Sequence, residues 1–199
     1  MTIPPENIIF VKVGDLYSHK HVNKLYDDLK LYFPYSKFWC YTDNWHYINN
    51  YINIINPIAS LKKWWPKLAL FSDIMPFKGT CLFLDLDMDV KGYFSDKLTW
   101  NGLTVLNNYT KKDLYMADHA YDVTINSSVI TWTAKEQSHI WKHFCSNKDY
   151  FMRKYAGIDR FIVHENISHN VFEDGIVSMA VSPLKNCPID SYNGMKYEL

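Results

Sequence analysis

Short apolar runs alternate along this chain with longer stretches whose apolar residues recur every three or four positions, the pattern of strands interleaved with helices. Asn7-Ile8-Ile9-Phe10-Val11-Lys12-Val13 breaks at Gly14-Asp15 and predicts a first strand that runs into a loop. From His21 to Phe33, the residues Val22, Leu25, Tyr26, Leu29, Tyr32 and Phe33 share one helical face, and Pro34 stops the helix. Lys37 to Tyr41 predicts a second strand ending at Thr42-Asp43-Asn44, and Tyr51 to Ile58 a third. Trp64 to Phe71 fits a helix with Pro66 in its first turn. The run Cys81 to Asp89, entered through Lys78-Gly79-Thr80, begins with unbroken apolar residues and reads as a strand buried on both faces. Beyond it, strands are predicted at Gly102 to Asn107, Val123 to Trp132 and Ile176 to Val181. Helices are predicted at Ala134 to Phe144 and Asp149 to Tyr155, with a further short one, capped by Asp159, running to Ile162. Asn108 to Tyr121 is expected to be a loop, and Pro183 and Pro188 to mark an irregular tail. The alternation predicts a single α/β domain over residues 1–199, with a central, mostly parallel sheet flanked by helices.

The buried run ends in acid. Asp85, Asp87 and Asp89 stand at alternate positions just where the hydrophobic stretch stops, which places them at the carboxyl edge of the sheet, where open α/β folds bind ligands. Such carboxylates repel one another and raise each other's pKa. A hard divalent cation, Mn²⁺ or Mg²⁺, removes that penalty, and the cargo expected beside it is a metal-bound phosphate. On its own, an Asp-x-Asp after an apolar run is equally a strand end followed by a solvated turn.

Composition narrows the classes. With 199 residues, 48% of them hydrophobic, the chain can bury a substantial core. Its formal net charge is zero with dispersed Lys and Arg, which disfavours nucleic acid as a partner. No run approaches bilayer-spanning length, and the N-terminus Met1 to Glu6 lacks a basic region followed by an apolar stretch. Cys40, Cys81, Cys145 and Cys187 show no paired spacing. Together these predict a reduced, cytoplasmic protein, in the host cytoplasm if the source is viral.

Several motifs occur in a telling order: Gly14-Asp15-x-Tyr17, Thr42-Asp43, Trp64-Trp65-Pro66-Lys67-Leu68, Leu82-Phe83-Leu84-Asp85-Leu86-Asp87, Asn126-Ser127-Ser128-Val129 and Gly157-Ile158-Asp159. In this order the chain, from about Val11 to Val181, resembles the small GT-A-fold glycosyltransferases related to the glycogenin-like family 8, including stand-alone forms from bacteria and large DNA viruses. The resemblance implies a donor-binding half at about 7–90 and a sugar and acceptor half at about 91–182. It also implies a UDP-sugar donor, UDP-glucose favoured, a Mn²⁺ or Mg²⁺ cofactor, and a glycan or glycoprotein acceptor such as a surface or capsid glycan.

Carried onto this sequence, the resemblance makes Asp85 and Asp87 the metal ligands and Lys67 a second cation at the phosphates, with Leu86 between the acids in the donor site. Val11, Lys12, Val13 and Gly14 would line the nucleoside pocket, Tyr17 would stack on the base, and Thr42 and Asp43 would contact base or ribose. Asn126, Ser127 and Ser128 would meet the sugar hydroxyls, and Asp159, with Asn126, would stand at the reacting centre. The family's usual Asp-Gln pair reads Asp159-Arg160 here, and no late metal-binding motif matches. His164, His169 or water is then the third ligand. Relatives in that family retain anomeric configuration, and no acid beyond Asp159 offers itself as the base an inverting displacement needs. Two other classes stay open: a haloacid-dehalogenase-type phosphatase, whose first Asp is a nucleophile, and a non-catalytic sugar-nucleotide or glycan-binding module.

Overall fold

The computed structural model describes residues 3–108, 123–173, 175–180 and 186–192. Its sheet is built outward from β1 (Asn7–Lys12), which pairs in parallel with β2 (Lys37–Thr42) on one side and β4 (Thr80–Leu84) on the other. β2 carries β3 (Ile52–Ile55) at the near edge, again parallel. β4 is flanked by β7 (Ile125–Thr133), which runs antiparallel and joins β6 (Thr104–Asn107) and then β8 (Asn170–Val171). Among the described residues the order is β3-β2-β1-β4-β7-β6-β8, with β7 alone reversed. The chain therefore winds outward from β1 to β3 and then returns to the opposite side of β1 as β4. That reversal creates a switch point, and the carboxyl ends of β1 and β4 open a crevice there.

Helix α1 (His19–Tyr32) covers one face of the sheet. Ser18 caps it by accepting from the Lys20 N–H, and the His21 ring reaches back to the Ser18 N–H, completing a capping box. Its buried residues Val22, Leu25, Tyr26 and Leu29 pack with Phe10, Phe38 and Leu82 in one apolar cluster. On the other face lie a one-turn helix α2 (Pro66–Ala69), α3 (Ser138–Ser146), α4 (Lys148–Lys154) and α5 (Ile158–His164). Trp65 stacks on Phe144 there at a centroid distance of 5.3 Å and meets the edge of Phe161 at 6.3 Å.

Several elements are shorter than their sequence pattern. The third strand stops at Ile55, before Pro57, and α2 keeps only one turn of the helix expected from Trp64 to Phe71. Helix α3 starts at Ser138 rather than Ala134, because a turn with Lys135 at φ 71° intervenes. The strand expected to run to Asp89 ends at Leu84. After a turn, the chain resumes as β5 (Met88–Val90) in a separate small sheet with β9 (Val177–Met179) and β10 (Ile189–Ser191), ordered β5-β10-β9. Ile189–Ser191 corrects the expectation of an irregular tail: three residues are too few to show a period, yet all are buried against that sheet. Asp89 consequently leaves the acid row and ion-pairs with Lys24 and Lys91. The expected loop beyond Asn108, and the end of the strand expected to reach Val181, lie outside the described residues.

Candidate active site

A cleft of about 1120 Å³ occupies the switch point. The end of β1 brings Val11, Lys12 and Val13 to its edge, and Gly14 then turns the chain at φ 77° with open space around it. Asp43, at the end of β2, fixes that turn by accepting from the Gly14 N–H at 2.9 Å and lines the cleft itself. Thr42 does not line it. Its fully buried hydroxyl donates to the Asn44 carbonyl and accepts from the Asn44 N–H, closing a local turn, so the expected base or ribose contact narrows to Asp43.

Asp85 and Asp87 follow β4 into the cleft. Leu86, between them, points into the apolar cluster under α1 and can offer a ligand only its backbone. The Asp85 N–H donates to the Ser128 carbonyl, continuing the ladder between β4 and β7 past its last paired residues. Strand β7 bulges here: Val105 of β6 faces Ile130 and Leu106 faces Asn126, which leaves Ser127, Ser128 and Val129 without partners on β6. Bulges of this kind re-aim side chains beside functional sites. This one brings Asn126, Ser127 and Ser128 to the cleft, with the Asn126 Oδ1 accepting from both the Ser128 N–H and hydroxyl.

Lys67 enters from α2. Its ammonium lies 2.7 Å from Asp85 Oδ2 and 3.3 Å from the Ser127 carbonyl, over the Phe83 ring, and only 7% of the residue is exposed. Burial pushes the Asp85 carboxyl up to about 6, with Lys67 pulling it down and Asp87 raising it further. Asp159 comes from the first turn of α5, and its Oδ1 accepts from the Ser127 N–H at 3.0 Å. It is not the cap expected from the sequence: Gly157, at φ 120°, holds that position, and no side chain caps the helix. Burial raises the Asp159 carboxyl above the usual range, and Lys67 opposes the rise.

Tyr17 lines the cleft, but its hydroxyl hydrogen-bonds Asp87 and its ring meets the edge of His21 at 5.3 Å, so here it braces the acid turn. Desolvation and the two acids raise its pKa. His164 is not brought to the cleft: it is exposed at the far end of α5, parallel to the Tyr155 ring at 5.7 Å. His169 hydrogen-bonds the Ile167 carbonyl beside the edge strand β8 and lies outside the cleft as well. Among the described residues, no group of three His, Cys, Asp or Glu side chains is placed to hold a metal ion. Asp85 and Asp87 still suit Mn²⁺ or Mg²⁺, since such ions are held by one or two carboxylates with substrate phosphates and water completing the shell. The sequence reading assigned no role to the cleft-lining segment formed by Pro57, Ala59, Ser60, Leu61, Lys62 and Lys63, which leads into Trp64. Its only signal was the pair of lysines before Trp64-Trp65-Pro66.

No protein-family model matches the chain, and no curated protein matches it. Solved structures do. The glycosyltransferase GlyE of Streptococcus pneumoniae TIGR4 aligns with a TM-score of 0.69 at 13% identity, over 94% of this chain. The galactosyltransferase LgtC, in complex with donor and acceptor sugar analogues, aligns with a TM-score of 0.66 at 13% identity, over 94% of this chain and 87% of its own. The chain spans about half of GlyE, 55% of its length. At this identity the likeness is one of fold, and the chain has the GT-A-type α/β fold of these glycosyltransferases.

Proposed function

We propose that the chain is a glycosyltransferase that moves a hexose from a UDP-sugar, UDP-glucose in preference, to a glycan or glycoprotein acceptor, with Mn²⁺ or Mg²⁺ and with retention of configuration. The observation that carries this reading is the convergence of Asp85, Asp87, Lys67 and Asp159 on one cleft at the switch point of a GT-A-type fold. When bound, the divalent cation offsets charge on the departing diphosphate.

The chain's own residues supply the remaining functions. Asp85 and Asp87 would hold the cation, Lys67 keeps Asp85 paired through Oδ2, and Tyr17 and the Tyr192 N–H, which donates to the Asp87 carbonyl at 2.9 Å, hold the Asp87 turn. With its oxygen engaged by Ser128, Asn126 presents only its amide N–H groups, which suits a sugar hydroxyl as acceptor. Asp159, fixed by the Ser127 N–H, lies on the same side as Lys67 and would stabilise positive charge at the reacting carbon.

Calorimetric titration with UDP tests this. The wild type should bind UDP in Mn²⁺ and lose most of that affinity in EDTA, and Asp87→Ala should abolish the metal-dependent part, about a hundredfold or ~3 kcal/mol, while remaining folded. Unchanged UDP affinity in folded Asp87→Ala, or release of inorganic phosphate from phosphate monoesters without sugar transfer, would overturn the reading.

A further inference from the structure

The acids of the cleft have a cation, but it is already engaged. Lys67 is bound between Asp85, the Ser127 carbonyl and the Phe83 ring, and moving it to a phosphate would strip Asp85 of its buried counter-charge. A diphosphate entering beside Asp85 and Asp87 would then draw direct positive charge from the other lysines that line the cleft: Lys12, buried at the end of β1, or Lys62 and Lys63, whose exposed side chains are free to move to a ligand.

We propose that Lys62 and Lys63, on the 57–64 segment that lines the cleft, hold the diphosphate of the nucleotide donor; this assignment rests on the glycosyl-transfer reading above. Both lysines line the cleft and are exposed, and neither makes an ion pair among the described residues. The Lys63 ammonium lies 5.7 Å from the Trp64 ring centroid, a loose contact that a phosphate can outcompete. The backbone at Lys63 adds a second, independent observation. Its φ is 58°, in the left-handed region where glycine is at ease and lysine is strained. The turn this conformation makes is kept at a lysine that lines the cleft, where glycine would cost less. A lysine ammonium, a compact charge on a flexible stem, suits phosphate oxygens and needs no fixed geometry to reach them. The ligand's charge is then divided: Asp85 and Asp87 would hold it through the metal, and the lysines bind it directly.

The test titrates wild type, Lys62→Ala, Lys63→Gly, Lys63→Arg and the Lys62→Ala/Lys63→Gly double variant with UDP and with uridine, in Mn²⁺ and in EDTA. UDP affinity should fall about five- to tenfold for each lost lysine in either buffer, as expected for a charge-assisted contact at a partly open site. Uridine affinity should stay level, and Lys63→Arg should restore UDP binding. Because glycine relieves the backbone, Lys63→Gly should melt no lower than wild type, which separates lost charge from lost fold. Double-variant UDP affinity within twofold of wild type would overturn the assignment while leaving the glycosyl-transfer reading intact. A wild type that binds UDP no more tightly than uridine would bring down both.

Discussion

The acids of the cleft and the side chains that face them are positioned by different forces. Asp85 and Asp87 hang from the end of a central strand, and their turn is tied by backbone bonds to Ser128 on one side and Tyr192 on the other. Lys67 and Asp159 ride on helices of four and seven residues, far too short to persist alone. Those helices are held by an aromatic cluster in which Trp65, Phe144, Phe151, Tyr155 and Phe161 meet at centroid distances between 5.1 and 6.5 Å. One half of the site is therefore built by a hydrogen-bonded ladder and the other by side-chain packing, so damage to the core should reach them unequally.

The largest effect is expected at the centre of the packed half. Trp65→Ala removes a buried ring stacked on Phe144 and should cost about 3–5 kcal/mol, lowering the melting temperature by roughly 10 °C. If ladder and packing are separable, Mn²⁺-dependent UDP binding should fall less than turnover does. Equal losses would show that the acid turn also depends on the packing.

Asp159→Asn sharpens the contrast within the cleft. Asn keeps the shape and can still accept from the Ser127 N–H, so UDP and metal affinity should change little. Sugar transfer should fall about ten- to hundredfold in kcat with KM nearly unchanged, because the lost charge acts in the transition state. Transfer at the wild-type rate would mean that Asp159 only braces β7.

The smallest effect lies at the far end of α5. Glu165 accepts from Tyr155, shares a 3.0 Å contact with His143 and pairs with Lys154 at 3.3 Å, joining the three short helices. The Tyr155 hydrogen bond, then His143 and Lys154, hold its pKa below the usual carboxylate range. A depressed pKa stabilises the fold above the unfolded value of about 4.3 and loses that contribution as pH falls through the folded value. Glu165→Gln should cost about 1–2 kcal/mol in chemical denaturation at pH 7, and the gap should close toward pH 3. A gap that persists at pH 3 would show that packing, not the carboxylate, sets the helix ends.

The same division decides what was legible beforehand. The ladder half is encoded locally: apolar runs at Ile8–Val11 and Cys81–Leu84 and the apolar face of α1 announce themselves by period, and acids at the end of a buried strand announce a site. The packed half is encoded in distant contacts. The sequence could suggest Asp159 as a cap, but only the fold turns it toward Ser127. It could offer His164 as a ligand, but Tyr155 takes its ring at the wrong end of the helix. Thr42 and Leu86 stand beside residues that line the cleft, and local sequence cannot tell a neighbour from a lining residue. The 59–63 stretch lies between the expected third strand and the helix expected from Trp64 and has no period of its own, so its lysines carried no signal beyond their charge.

The bond from the Tyr192 N–H to the Asp87 carbonyl closes a span of about a hundred residues, among the most non-local contacts the chain must make. A ribosome adding roughly 5–20 residues per second needs about 5–20 seconds to supply the second partner after the first has emerged. Through that interval the parallel strands can already pair while the acid turn waits for its clasp. The site thus matures later than the scaffold that carries it, and a nascent chain halted before Ile189 would hold a nearly finished sheet around an unfinished centre.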